Sequence, residues 1–319
     1  MVQLDGRTEG HCQRAELGRE ESRMEEYMLE GTITALVTPF QKVASTEQPP
    51  LDLDALEELI HWQLECGVRG FVVGGTTGES ATLEPTERIQ LVKRVLEIVR
   101  RKVPVIVGTG TNCTRTSIEL TKAAKELGAD GALIVSPYYN KPTQEGLYQH
   151  FRAVAEQGGL PIVVYNIPGR TSVDISLDTF RRLAKLSQVV AVKEASGSAD
   201  KLIDLAAHLG PRVALLAGED SLTYFVMAAR GRGVISAASN VIPKEMVAIT
   251  DNWLRGDVQA ALAAQCRALP VIRALFRETN PAPAKAALKI LGRLPNDTLR
   301  LPLVAVQEDT RELLTKVLF

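Results

Sequence analysis

Eight short apolar runs recur along the chain with helix-period segments between them, and this alternation restricts the fold more than any other feature. The runs are ITALVTPF (33–40), GFVVGG (70–75), VPVIVGTG (103–110), GALIVSPYY (131–139), PIVVYNIP (161–168), VVAVKEA (189–195), RVALLAG (212–218) and GVISAAS (233–239), starting roughly 20 to 40 residues apart. Between them lie amphipathic stretches such as LDALEELIHWQLECG (53–67) and SIELTKAAKELG (117–128). Several of these end in a glycine suited to a helix C-terminus, at Gly67, Gly128 and Gly210. Strands that alternate with helices build a parallel sheet. Eight such units in about 210 residues fit an α/β fold of the (β/α)8 TIM-barrel type. The competing open sheet would carry a GxGxxG turn after its first strand, and none is present.

This rhythm divides the chain. Residues 31–256 form the expected catalytic barrel, and 257–319, helical in pattern, form a small C-terminal extension. Residues 1–30 hold eight acids, four arginines and few apolar residues, so they are expected to be a disordered or weakly helical tail. Without an apolar h-region they are not a signal peptide, and Met24 or Met28 is a candidate start of translation. The net charge of −1 and the absence of a basic run speak against nucleic acid. No apolar stretch approaches the ~20 residues of a membrane span. Four scattered cysteines with no CxxC pair suggest free thiols in a cytoplasmic protein. The four histidines lack metal-ligand spacing, so metal-assisted chemistry is not expected.

In a barrel, functional groups gather where the strand C-termini meet. Chemically unusual residues sit at these ends. The second run leads into GGTTGES (74–80), whose glycines let backbone N–H groups approach an anion closely. It lacks P-loop spacing, so a carboxylate is the expected guest; a plain tight turn is the competing reading. The fourth run ends in Tyr138 and Tyr139, and the fifth carries Tyr165 with Arg170 soon after. Core packing competes for the tyrosines and solvation for the arginine, although an arginine beside an anion loop suits a second carboxylate.

The sixth run carries Lys193. Alternation along a strand puts Val189, Ala191 and Lys193 on one face and Val190 and Val192 on the other. Pointing outward, the lysine would be a charge among the helices; pointing inward, it reaches the mouth. Pairing with an acid such as Glu194 is the bland alternative, weakened because Glu194 faces the other way. A free lysine with pKa ~10.4 is neutral only about once in 2500 molecules at pH 7. Burial lowers the pKa, and at ~8 roughly one in ten is a nucleophilic amine. Such an amine forms a Schiff base with a carbonyl and makes the adjacent methyl an enamine nucleophile. A carbonyl compound with a carboxylate in the Gly-Thr-Thr loop is a 2-oxo acid, and Tyr165 is the natural proton shuttle.

GTTGES, SPYYNKP, YNIPGRT, VKEASG and GVISAASN, in this order, resemble the dihydrodipicolinate synthase / N-acetylneuraminate lyase superfamily of Schiff-base aldolases. The likeness runs from about Gly31 to the C-terminus and includes ETNPAPAK and DTLRLPL. Within the superfamily the chain is most similar to the dihydrodipicolinate synthase branch, because sialic-acid lyases usually read GSTGE and lack the arginine after YN-P. The resemblance implies condensation of pyruvate with L-aspartate 4-semialdehyde on the diaminopimelate route to lysine, with no cofactor beyond the covalent Schiff base. It implies that Lys193 bonds pyruvate and Tyr165 moves protons. Thr76 and Tyr139 would complete a relay, with Tyr139 reaching across a dimer interface. Thr77, Ile235 and the backbone at Gly218 would hold pyruvate, and Arg170 the semialdehyde carboxylate. A homotetramer, built as a dimer of dimers, is the usual assembly. A sugar-acid aldolase of the superfamily is the runner-up, and a non-catalytic binding barrel is a third reading.

Two departures stand out. Lysine-inhibited members carry a histidine where this chain has Pro85 and a glutamate where it has Thr116, although Ser80, Ala81, Asn112 and Tyr138 match the regulatory pocket. Weak or absent feedback by lysine is therefore expected. The stretch QKVASTEQPPLDL (41–53) is longer than usual and has no assigned role.

Overall fold

The computed structural model describes residues 29–43 and 48–319; most of the expected tail lies outside them. Eight parallel strands, β1 (Gly31–Ala35), β2 (Phe71–Val73), β3 (Val105–Gly108), β4 (Gly131–Val135), β5 (Ile162–Asn166), β6 (Val189–Glu194), β7 (Ala214–Ala217) and β8 (Gly233–Ser236), close into a barrel in chain order. Each falls within or against one of the eight apolar runs. Around them lie α1 (Leu53–Glu65), α2 (Pro85–Val99), α3 (Thr114–Leu127), α4 (Gln144–Gly158), the short α5 (Pro168–Thr171), α6 (Leu177–Leu183), α7 (Ala199–His208), α8 (Thr223–Ala228) and α9 (Pro243–Leu254). The chain then adds α10 (Val258–Leu275), α11 (Ala282–Ile290) and α12 (Glu308–Leu318). Among the described residues no helix is long and apolar enough to cross a membrane.

Local chemistry explains these elements. The Asp52 carboxylate accepts from the Ala55 amide at 3.1 Å and starts α1, whose Leu56, Leu59 and Ile60 are buried against the sheet. Pro85 opens α2 at the first position, where its missing N–H costs nothing. Gly67, Gly128 and Gly210 all take left-handed φ values where α1, α3 and α7 end, as a C-terminal glycine should.

The strands carry two cores. Ile33, Ala35, Val72, Ile106, Leu133, Val163, Ala191, Leu216 and Ile235 fill the barrel interior. Phe71, Val73, Val105, Ile134, Val164, Val192, Leu215 and Val234 pack outward against the helices. Each fully buried Val, Leu, Ile or Phe among them contributes about 1.5–3 kcal/mol. Leu29, just ahead of β1, joins the interior core, and Glu30 pairs with Arg69 at 2.9 Å.

Strict alternation fails at one place in β6. Ile162 pairs with Val189, but Val163 pairs with Ala191, so β6 carries an extra residue at Val190. Val189 therefore packs in the outer core with Val192, and not on the face of Lys193 as strict alternation would have it. Val190 instead lines a small cavity at the barrel floor with Leu29, Ile106 and Val163. Beyond the bulge the expected pattern resumes, with Ala191 and Lys193 inward.

The long stretch after β1 is anchored at both ends. Phe40 bridges Leu51, the Gln41 amide donates to Pro50 O, and the Gln48 side chain donates to Thr82 O at 2.8 Å.

Candidate active site at the barrel mouth

Lys193 lies one residue from the C-terminal end of β6, directly across from Tyr165 in the β5–β6 ladder. Its Nζ stands 4.3 Å from the centroid of the Tyr165 ring. The lysine is 6% exposed and forms no ion pair within 4 Å among the described residues. Burial pushes its pKa down to about 8, helped by the Arg170 cation and opposed by Asp220 and Glu219. Burial pushes the Tyr165 hydroxyl the other way, so it holds its proton across the neutral range. Glu194 does not partner the lysine. On the opposite face its carboxylate accepts from Asn166 Nδ2 at 3.0 and 3.2 Å and from the Ser196 amide at 2.7 Å.

The Gly-Thr-Thr loop leaves β2 through Gly74, whose φ of +64° favours a residue without Cβ. The Gly78, Glu79 and Ser80 amides bond back to Gly75 O and Thr76 O, closing a tight turn. The amides of Thr76 and Thr77 donate to no backbone carbonyl among the described residues, which leaves them available to a carboxylate. Thr76 is exposed, whereas Thr77 is buried and accepts from Asn280 Nδ2 at 2.9 Å.

Ile235, buried on the interior face of β8, pairs with Ile33 of β1. Gly218 follows β7, and its amide donates to Glu194 O at 2.7 Å. A Cβ there would come within 2.7 Å of the Ala195 Cβ, so the backbone approach requires glycine. Arg170 lies on α5 and donates to Asn280 O at 3.2 Å. Its charge lowers the pKa of both Lys193 and Tyr165, which puts it within electrostatic reach of both. Tyr139 stands apart. It is 89% exposed at φ +70°, and its hydroxyl has no hydrogen-bond partner among the described residues.

Two groups of the site escaped the sequence reading. Asp220, fully buried after β7, accepts from the Ala237 and Ala238 amides at 3.1 and 3.2 Å; burial raises its pKa. A carboxylate just after a buried strand was a readable signal. Asn280 sits in the ETNPAPAK segment of the family likeness, but nothing in the sequence tied it to the mouth, because it follows α10 and only the tertiary fold brings it there.

The dihydrodipicolinate synthetase family matches residues 28–319. A 4-hydroxy-tetrahydrodipicolinate synthase of Syntrophobacter fumaroxidans is 46% identical over 284 residues, covering 89% of this chain and 96% of the relative. Among solved structures, a dihydrodipicolinate synthase from Thermotoga maritima superimposes with a TM-score of 0.88 at 45% identity, covering 92% of this chain and 98% of the other. A chloride-inhibited dihydrodipicolinate synthase from Acinetobacter baumannii, solved with pyruvate, gives 0.87 at 42% identity over 91% and 97% of the two chains. A buried lysine facing a buried tyrosine beside an anion-ready loop, in a barrel shared along nearly its whole length with these synthases, leads to one conclusion: the chain belongs to the dihydrodipicolinate synthetase family.

Proposed function

We propose that this chain is a 4-hydroxy-tetrahydrodipicolinate synthase that condenses pyruvate with L-aspartate 4-semialdehyde through a Schiff base on Lys193. The observation that carries the reading is the inward, desolvated Lys193 amine across from Tyr165.

The chemistry follows from the arrangement. The neutral Lys193 amine attacks the C2 carbonyl of pyruvate, whose oxygen leaves as water. The cationic imine lets a methyl proton depart and gives an enamine. That carbon attacks the semialdehyde carbonyl, whose oxygen takes up a proton. The semialdehyde's own amine then displaces Lys193 at C2 and closes the ring. Tyr165 enters as a proton donor, because burial keeps it protonated. Thr76 passes protons onward, and the partner subunit's Tyr139 completes the relay. An exposed tyrosine at the tip of the loop after β4 suits that reach. The Thr77 hydroxyl and the Thr76 and Thr77 amides hold the pyruvate carboxylate, Ile235 and the Gly218 backbone line its pocket, and Arg170 takes the semialdehyde carboxylate. The working assembly is a homotetramer built as a dimer of dimers. The enzyme works in the cytoplasm, in keeping with the free thiols at Cys66, Cys113 and Cys266.

Steady-state assays of pyruvate with different aldehydes test the substrate. Turnover with aspartate semialdehyde and little or none with neutral sugar aldehydes is expected. Arg170→Leu should raise the semialdehyde KM about tenfold, the weight of a charge-assisted contact. A preference for sugar aldehydes would overturn the reading.

A further inference from the structure

The C-terminal segment touches the mouth where the substrate carboxylates are held. Asn280 lies between α10 and α11, buried, and bonds two groups at once. Its Nδ2 donates to Thr77 Oγ1 at 2.9 Å, and its backbone O accepts from Arg170 at 3.2 Å. A hydroxyl that accepts from an amide keeps its own proton for another acceptor. The Thr77 hydroxyl makes no other hydrogen bond among the described residues.

The chain beyond Asn280 grips the same loop at a second point. Lys285, in the first turn of α11, pairs with Glu79 at 2.5 Å, with both side chains 1% exposed, and donates to Thr298 O at 2.9 Å. The Arg300 amide donates to the other Glu79 oxygen at 3.1 Å. The Arg300 guanidinium grips Glu87 at 2.5 and 2.7 Å and donates to Thr82 O and Pro49 O. Glu79 takes φ +52° two residues after Thr77, a left-handed corner that needs support from outside. The loop is thus gripped at Thr77 by Asn280 and at Glu79 by Lys285 and Arg300.

We infer that Asn280 is a positioning residue: its amide fixes the Thr77 hydroxyl as a donor aimed at the substrate carboxylate, and the Lys285–Glu79–Arg300 cluster holds that contact in register. The inference rests on the assignment of Thr77 to pyruvate binding made above. It gives the extension a role in substrate binding and explains why an asparagine, which offers a donor without charge, stands beside an anion.

The near-isosteric Asn280→Asp tests it. A carboxylate accepts only, so it takes the Thr77 proton and adds a negative charge beside the ligand. Two quantities are read: the pyruvate concentration that half-saturates borohydride trapping, and kcat at saturating substrates. The half-saturating concentration should rise about tenfold or more, while kcat changes less than about threefold. Asn280→Ala, which removes the donor without adding charge, should give a smaller rise. Either an Asn280→Asp value within about twofold of the parent, or a fall in kcat with half-saturation unchanged, overturns the inference. Should Asn280→Asp fail to fold, Asn280→Ala decides on the same twofold criterion. Thr77→Val separates the two levels. If it too leaves half-saturation unchanged, the assignment of Thr77 is wrong. If it raises half-saturation while the Asn280 variants do not, only the role of Asn280 falls.

Discussion

The titration of Lys193 gives the reaction a specific pH profile. Its pKa of about 8 sets how much free enzyme carries a neutral amine. That fraction is about 1% at pH 6, about 9% at pH 7, half at pH 8 and about 90% at pH 9. An ordinary lysine at ~10.4 would reach only about 0.04% at pH 7, so burial raises the reactive population more than 200-fold, by about 3 kcal/mol. The kcat/KM for pyruvate reports the free enzyme and should follow this fraction: about ninefold from pH 6 to 7, about fivefold from 7 to 8, and less than about twofold from 8 to 9. The Arg170 cation helps to hold the amine neutral, so Arg170→Leu should move the bend to higher pH. The measurement is kcat/KM for pyruvate between pH 6 and 10.5 at fixed semialdehyde. A tenfold rise per pH unit continuing past pH 9 would show an unperturbed lysine and refute the reasoning.

Other perturbations probe the framework. His150 is buried, hydrogen-bonded to Thr114, and burial lowers its pKa to about 4. The unfolded chain therefore binds the extra proton first, and stability falls as pH drops from about 6.5 towards 4, by about 3 kcal/mol for this residue. Denaturant melts of His150→Gln should show a shallower acid loss than the parent; an equally steep loss would contradict this. Lys285→Met leaves Glu79 buried without its cation and should cost about 3–5 kcal/mol in the same melts. Free lysine should inhibit weakly, with half-inhibition above about 1 mM. Pro85 and Thr116 line the cleft between α2 and α3 and offer an incoming ammonium no carboxylate at those two positions; the Arg88 cation lines the cleft with them, as does Glu119 one helical turn on from Thr116.

The barrel was legible because its strands are buried on both faces and separated by well-capped helices. Lys193 was legible for the same reason: a charge inside an apolar run has few uses. The bulge in β6 was not, because it belongs to the pairing of β5 with β6, and alternation within one strand cannot reveal an extra residue. The outward position of Glu194 was readable because it lies beyond that bulge. Tyr165, Thr77 and Arg170 were readable as strand-end residues, whereas Asn280, about 200 residues from Thr77, was not. The Glu79–Lys285 pair is hidden in the same way, since each residue alone resembles an ordinary surface charge. Tyr139 has no hydrogen-bond partner among the described residues, so its role could be argued only from the family resemblance.

The central claim is a covalent bond between Lys193 and pyruvate. Incubation with pyruvate and borohydride, followed by digestion and mass spectrometry, tests it directly. A gain of about 72 Da, the reduced pyruvyl group, is expected on the peptide carrying Lys193, and Lys193→Arg should abolish it. Full activity with no adduct, or an adduct on Lys285 or another lysine in place of Lys193, would contradict the account.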